Sequence, residues 1–192
     1  MALVTDDNLT RSKILRAALH YVALHGSEKL SMSGVAESAN LARGTVYRYF
    51  ANSEELMEGM GAYVRAGFRA QIARSTAEAD GPRMKIEKFV ESRIDPETWE
   101  AVRRLREYQP AFTLIFLTDH MPDYVQAFRQ AFAEDFRGQH FAISLDAFAN
   151  IVARIFICGT LLNDNPALTR KLALALWSAL TADSEVAAPA QV

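Results

Sequence analysis

Apolar residues recur every three or four positions along nearly the whole chain, and no stretch alternates with period two, so the pattern predicts an all-α protein. A first helix is predicted from about Thr10 to His25, with Ile14, Leu15, Ala18, Tyr21 and Val22 on its inner face. Thr10 is placed to cap its start, and Gly26 to take the left-handed conformation that ends it. A short second helix opens near Ser31 or Ser33, whose hydroxyls can accept from free backbone N–H groups, and closes near Ala39. Asn40, the non-glycine residue best tolerated at positive φ, then turns the chain into a third helix over about Arg43 to Phe50. Two short helices joined by such a turn make a helix-turn-helix.

A longer fourth helix follows, with Asn52 as cap and Glu54 and Glu55 in the first turn, where the helix dipole favours negative charge. Leu56, Met60, Tyr63, Val64, Phe68 and Ile72 form its apolar face to about Ser75. After the linker at Ala79-Asp80-Gly81-Pro82, helices are predicted over about 83–94, 96–108, 110–118, 122–137, 141–162 and 166–181. Four of these open on proline, which suits a first turn whose N–H groups are unpaired in any case. The division read from this pattern is a head of residues 1–51, a larger helical body of residues 52–182 and a frayed tail of residues 183–192.

Composition narrows the class. Of 192 residues, half are hydrophobic and 23% charged, enough burial for a globular fold and not the makeup of a disordered chain. Residues 1–50 carry six Lys and Arg against four Asp and Glu, a surplus of two positive charges, while the whole chain is at −2. A mildly basic head therefore precedes an acidic body. The start of the chain reads as neither a secretory nor a transit signal, and the most apolar later segment, residues 141–162, is interrupted by Asp146, Asn150 and Arg154. A cytoplasmic location with no membrane partner is the resulting expectation. The only cysteine, Cys158, falls in that segment and is expected to be buried.

Catalysis finds no support. His20, His25, His120 and His140 lack metal-ligand spacing, and neither a phosphate-binding glycine loop nor a nucleophile elbow occurs. No metal, no cofactor and no enzymatic activity are expected. The Arg103-Arg104-Arg106 cluster reads as a solvated face.

The segments Arg11-Ser-Lys-Ile-Leu-Arg-Ala-Ala, Ser31-Met-Ser-Gly-Val-Ala-Glu-Ser-Ala, Arg43-Gly-Thr-Val-Tyr-Arg-Tyr-Phe and Asn52-Ser-Glu-Glu-Leu resemble the DNA-binding domain of the TetR family of bacterial repressors over residues 10–57. The resemblance implies a three-helix DNA-binding domain, a helical ligand-binding and dimerisation body, double-stranded palindromic operator DNA as partner, a small effector and a homodimer. On residue chemistry, a recognition helix presents its N-terminal end to the major groove, which selects positions 43–48. Arg43 has the planar fork that gives two bonds to guanine. Tyr47 carries a ring for a thymine methyl or a hydroxyl for a phosphate, Arg48 suits a phosphate, and Gly44 allows close approach, while the resemblance implies Thr45 as a phosphate-contacting hydroxyl. Ser31, Ser33 and Asn52 complete the candidate DNA-contacting set, while Val46 and Phe50 are expected in the core. Three departures from the family pattern reduce the contacts: Ser33 replaces a long polar residue, Ala42 replaces a capping serine, and Ser53 replaces a lysine.

The body is rich in aromatic residues, and Phe128, Phe132 and Phe136 must share one helical stripe, more often core than pocket. The resemblance makes the middle helices the place for an apolar or aromatic effector, with Arg93, Trp99, Tyr108, Phe112, Thr113, Phe116, His120, Tyr124 and Phe128 as candidate lining. It also makes the last two helices the dimer surface, through Ile151, Ile155, Gly159, Leu162, Leu172, Leu176 and Leu180, with Ala153 and Gly159 small enough for close helix approach. The competing reading is a DNA-binding dimer with no small-molecule effector, whose body serves only dimerisation or protein docking; a third is a sensor or scaffold with a degenerate head.

Overall fold

The computed structural model describes residues 6–77, 79–91, 96–162 and 166–186, without the side chains of 96–99, 160–162, 166 and 181–186. Among them are ten α-helices and no strand: α1 (Asp6–His25), α2 (Met32–Ser38), α3 (Arg43–Tyr49), α4 (Ser53–Thr76), α5 (Gly81–Glu91), α6 (Pro96–Tyr108), α7 (Pro110–Asp119), α8 (Met121–Phe136), α9 (Leu145–Leu162) and α10 (Pro166–Val186). The all-α expectation holds.

Two compact units emerge, one of residues 1–67 with 94–118, the other of residues 68–93 with 119–192. In the first, α1 packs on α2 and α6, and α2 packs on α3. The core is built from the side of α1 that carries Ile14, Leu15, Ala18, Leu19 and Val22, all at or near zero exposure. Met32, Val35 and Ala36 of α2, Val46 and Phe50 at α3, Leu56, Met60 and Val64 of α4, and Ala101 and Leu105 of α6 close over it.

Asn40 takes the positive φ expected of it, 50°. Gly26 also has positive φ, 93°, but with ψ of 154° its backbone is extended and not left-handed helical as expected. Ser31 caps α2, its Oγ accepting from the Gly34 N–H at 3.1 Å. Asn52 caps α4, its Oδ1 accepting from the Glu55 N–H at 2.9 Å, while the Glu55 carboxylate accepts from the Ala51 N–H at 2.6 Å. A short 3-10 turn at Ser27–Lys29, absent from the sequence reading, separates α1 from α2.

Four further expectations need correction. Helix α1 begins at Asp6, four residues early, and Thr10 is no cap, because its hydroxyl donates to the Asp6 carbonyl at 3.0 Å from inside the helix. Helix α9 begins at Leu145 and not at Phe141; Ser144 caps it, its Oγ accepting from the Ala147 N–H at 3.2 Å. Helix α10 runs to Val186, past the predicted end at Thr181, and the remainder of the expected tail, 187–192, lies outside the described residues. Cys158 is exposed, because α9 buries the side bearing Val152, Ala153, Phe156 and Ile157 and leaves Ile151, Arg154 and Cys158 outward.

The second unit packs α8 on α9, and α10 on α5 and α9. Phe128 is its hub, stacked on Phe156 with ring centres 5.4 Å apart and edge-on to Phe89 and Phe68 at 5.1 and 5.8 Å. Phe132 and Phe148, 1% and 0% exposed, continue the cluster, so the stripe on α8 is core at Phe128 and Phe132, while Phe136 at its end is half-buried. The pair Lys85–Asp135 ties α5 to α8 with side chains only 13% and 11% exposed, and the ammonium also donates to the Ala131 carbonyl at 3.0 Å. Removing one partner leaves a buried charge uncompensated, so Lys85→Met is expected to cost about 3 kcal/mol in urea unfolding, with Lys85→Met/Asp135→Leu recovering most of it.

Candidate functional site

Helix α3 has only seven residues, so its position depends on packing and not on its own helical stability. Val46, at 0% exposure, and Phe50, at 1%, fasten it to the core as expected. Gly59 makes room for the Phe50 ring: a Cβ there would lie 2.7 Å from its Cε1. Ala42 occupies the N-cap position and gives no side-chain bond, leaving the first N–H groups of α3 to its backbone and to whatever approaches from outside.

The face opposite Val46 and Phe50 carries the predicted residues. Arg43, Gly44, Tyr47 and Arg48 are exposed and Thr45 is half-buried. Arg43 donates through a terminal guanidinium nitrogen to the Tyr47 hydroxyl at 3.1 Å, and its guanidinium carbon lies 5.2 Å from that ring's centre. The two side chains are thus held as a unit one turn apart on the helix. A Cβ at Gly44 would meet nothing within 4 Å, so the surface beside the pair is open to a ligand as flat and close as a groove edge.

Arg48 is also held. It donates to the Tyr49 hydroxyl at 3.4 Å with its guanidinium 5.1 Å from the Tyr49 ring centre, and that hydroxyl donates to Asp7 Oδ1 at 2.6 Å. Tyr49 and Asp7 went unnoticed in the sequence reading, since a contact spanning 42 positions leaves no local trace. Tyr49→Phe removes both bonds; a loss of about 1 kcal/mol in stability is expected, read by urea unfolding.

The remaining members of the DNA set lie around α3. Ser31 and Ser33 are exposed at the start of α2, and Ser31 has committed one lone pair of its hydroxyl to capping. Asn52 is exposed, with its Oδ1 committed to the cap of α4.

The effector set is divided between the two units. In the first, Tyr108 is 56% exposed, Thr113 is buried and donates to the Gln109 carbonyl at 3.0 Å, and Phe112 and Phe116 pack against the core of that unit. In the second, His120 is half-buried while Tyr124 and Phe128 are 2% and 1% exposed. Tyr124 and Phe128 both meet the Phe68 ring, at 4.6 and 5.8 Å. Arg93 and the Trp99 side chain lie outside the described residues.

Of the dimer set, Ile151 and Leu172 are 38% and 48% exposed, and Ile155 and Leu176 are half-buried. Leu168, at 46%, and Cys158 extend that exposed apolar surface. Leu180 and Ala153 are buried within the protomer. Gly159 serves the chain's own packing, since a Cβ there would lie 2.8 Å from Thr169 Oγ1 on α10. The Leu162 side chain is outside the described residues.

The arginine cluster on α6 is a solvated face, as expected: Arg103 and Arg104 both donate to Glu100, at 2.8 and 2.9 Å, and these guanidinium groups lower the Glu100 carboxyl to about 2. Among the described residues no group of His, Cys, Asp and Glu could hold a metal, and no helix is long and apolar enough to cross a membrane.

Comparison with known proteins agrees with the geometry of the head. The profile of the bacterial regulatory proteins of the tetR family matches residues 14–60. An uncharacterized HTH-type transcriptional regulator of Haemophilus influenzae is 36% identical over 66 residues, 34% of this chain and 35% of that protein. A probable acrEF/envCD operon repressor of Escherichia coli is 33% identical over 51 residues, 27% of this chain and 23% of that protein. The matches thus span about a third or less of the length of these relatives. The fold extends further: a fatty acid degradation regulator from Bacillus halodurans superposes with a TM-score of 0.64 over 86% of this chain and 93% of its own, at 16% identity.

Proposed function

We propose that the chain, whose residues 14–60 match the bacterial regulatory proteins of the tetR family, is a ligand-responsive transcriptional repressor of that family. It would bind a palindromic operator as a dimer in the cytoplasm and release it when a small apolar or aromatic molecule occupies the body. Residues 1–51 would be the reading head and residues 52–182 the sensing and dimerising body.

The observation that carries the DNA-binding part is the exposed Arg43–Tyr47 pair beside the open surface at Gly44, on a helix whose other side is sealed by Val46 and Phe50. Two-fold pairing follows from the size of the reading element, because one recognition helix covers a few base pairs and a dimer covers two half-sites. The exposed apolar positions Ile151, Cys158, Leu168 and Leu172 support α9 and α10 as the paired surface. Release requires a ligand that binds the two states of the dimer with different affinity, and α4, which begins directly after the head and is the first helix of the body, is the connection through which it would act.

The head is light on cations, with Ser53 at the position of a common phosphate partner. Each phosphate neutralised on duplex DNA contributes about 0.9 to the slope of log affinity against log salt. A shallow slope is expected in a filter-binding or fluorescence titration, well below the ~9 that ten phosphate contacts would give.

One observation favours the alternative of a regulator without a small-molecule effector: Tyr124 and Phe128 are buried in ring-to-ring contact, which makes them core and not the wall of an open pocket. Thermal shift against hydrophobic compounds separates the two readings. A ligand at a hundred times its Kd adds about 2.7 kcal/mol to stability, whereas a body that only dimerises gives no shift with any of them.

A further inference from the structure

The connection between α8 and α9 borders a shallow, open cleft of about 560 Å³. Phe136, Phe141, Ile143 and Leu145 line it together with Arg137 and His140. Its two aromatic lining residues, Phe136 and Phe141, belong to the ring cluster of the second unit. Phe136 and Phe141 lie 4.6 Å apart, and both meet Trp177, at 6.1 and 5.4 Å. Burial changes across that cluster: Phe132 and Phe148 are at 1% and 0% exposure, whereas Phe136, Phe141 and Trp177 are only half-buried. Phe136 and Phe141, the two of these rings that line the cleft, therefore keep apolar surface in contact with water, and a ligand that covered them would gain about 25 cal/mol per Å² of surface removed from water.

The rim sets the charge of the occupant. No carboxylate is among the described lining residues, while Arg137 brings a guanidinium with its fork of N–H donors. Arg137 donates to Glu134 at 2.7 Å, but their side chains are 75% and 70% exposed, so the pair contributes little. It also engages only one end of the guanidinium, leaving further N–H donors for an incoming anion. The turn that carries Arg137 is fixed by Gly138 at φ of 70°, by the Arg137 N–H donating to the Glu134 carbonyl at 3.2 Å and by the Gln139 N–H donating to the Phe136 carbonyl at 3.3 Å.

We infer that this cleft is a binding site for a small carboxylic acid with an aromatic or aliphatic body, whose apolar part covers Phe136 and Phe141 while its carboxylate meets Arg137. The cleft shares no residue with the candidate effector lining named from Arg93 to Phe128, and it does not depend on the DNA-binding reading. It takes the anion of the acid and discriminates against the neutral alcohol of the same shape, because only the anion gains the charge-assisted bond.

Trp177 supplies the readout. The only other tryptophan is Trp99, so in the full-length Trp99→Phe protein the emission reports on the ring cluster behind the cleft. Titration with phenylbutyrate is expected to shift that emission saturably, with phenylbutanol binding about tenfold more weakly, a difference of about 1.4 kcal/mol. Arg137→Ala, at an exposed position that leaves the core untouched, should abolish the discrimination and leave the two probes equal. The inference is overturned if emission shows no saturable change, if acid and alcohol bind alike to the unaltered cleft, or if the preference for the acid survives Arg137→Ala.

Discussion

Alanine at both Arg43 and Tyr47 is expected to lower affinity for the operator about a hundredfold or more while the protein stays folded. A bidentate arginine–guanine contact discriminates by about 1–3 kcal/mol, and the tyrosine adds a second contact one turn along. The fold should survive because both side chains are outside the core and the helix is fastened by Val46 and Phe50. Each single substitution should cost more than half of the double, since the 3.1 Å bond between the two makes each the other's support. Fluorescence anisotropy with operator DNA, alongside circular dichroism of the variants, checks both parts.

Phe128→Ala is expected to be the most damaging single change in the body, at about 3–5 kcal/mol. Phe128 is 1% exposed and touches the rings of Phe68, Phe89 and Phe156, which come from α4, α5 and α9. Truncation removes the transfer free energy of a large ring and leaves a cavity between three helices that cannot all close in. Urea unfolding measures the loss. A residue lining an already open effector pocket would lose much less, so the same experiment tells core from pocket wall at this position.

Much of the head was legible in the sequence because its signals are local. Gly26 and Asn40 sit where the chain must adopt positive φ, Ser31 and Asn52 carry the short acceptors that caps require, and the inner face of α1 is set by helical spacing. What the sequence concealed is tertiary. Helix α1 begins at Asp6, with the neighbouring Asp7 receiving the Tyr49 hydroxyl from 42 residues away, a contact no window of sequence contains.

In the body, periodicity located the helices but did not say which apolar side faced inward. Helix α9 is apolar on most sides, so Cys158 could be assigned to the core from its neighbours and yet stand exposed, while Leu180 could be assigned to a partner and yet be buried in its own protomer. Phe141 shows a related ambiguity: an aromatic residue before a helix reads as its first turn, but here it belongs to the connection and packs its ring on Phe136 and Trp177.

Whether α3 reads DNA through Arg43 and Tyr47 as part of a two-fold dimer is decided by selection of random duplex DNA with the purified protein, followed by sequencing. Enrichment of an inverted repeat whose half-sites lie a helical turn or a multiple of it apart is expected, with loss of that enrichment for the Arg43→Ala/Tyr47→Ala protein. Recovery of unenriched sequence by the unaltered protein, or the same repeat recovered by the double variant, would contradict this role of α3.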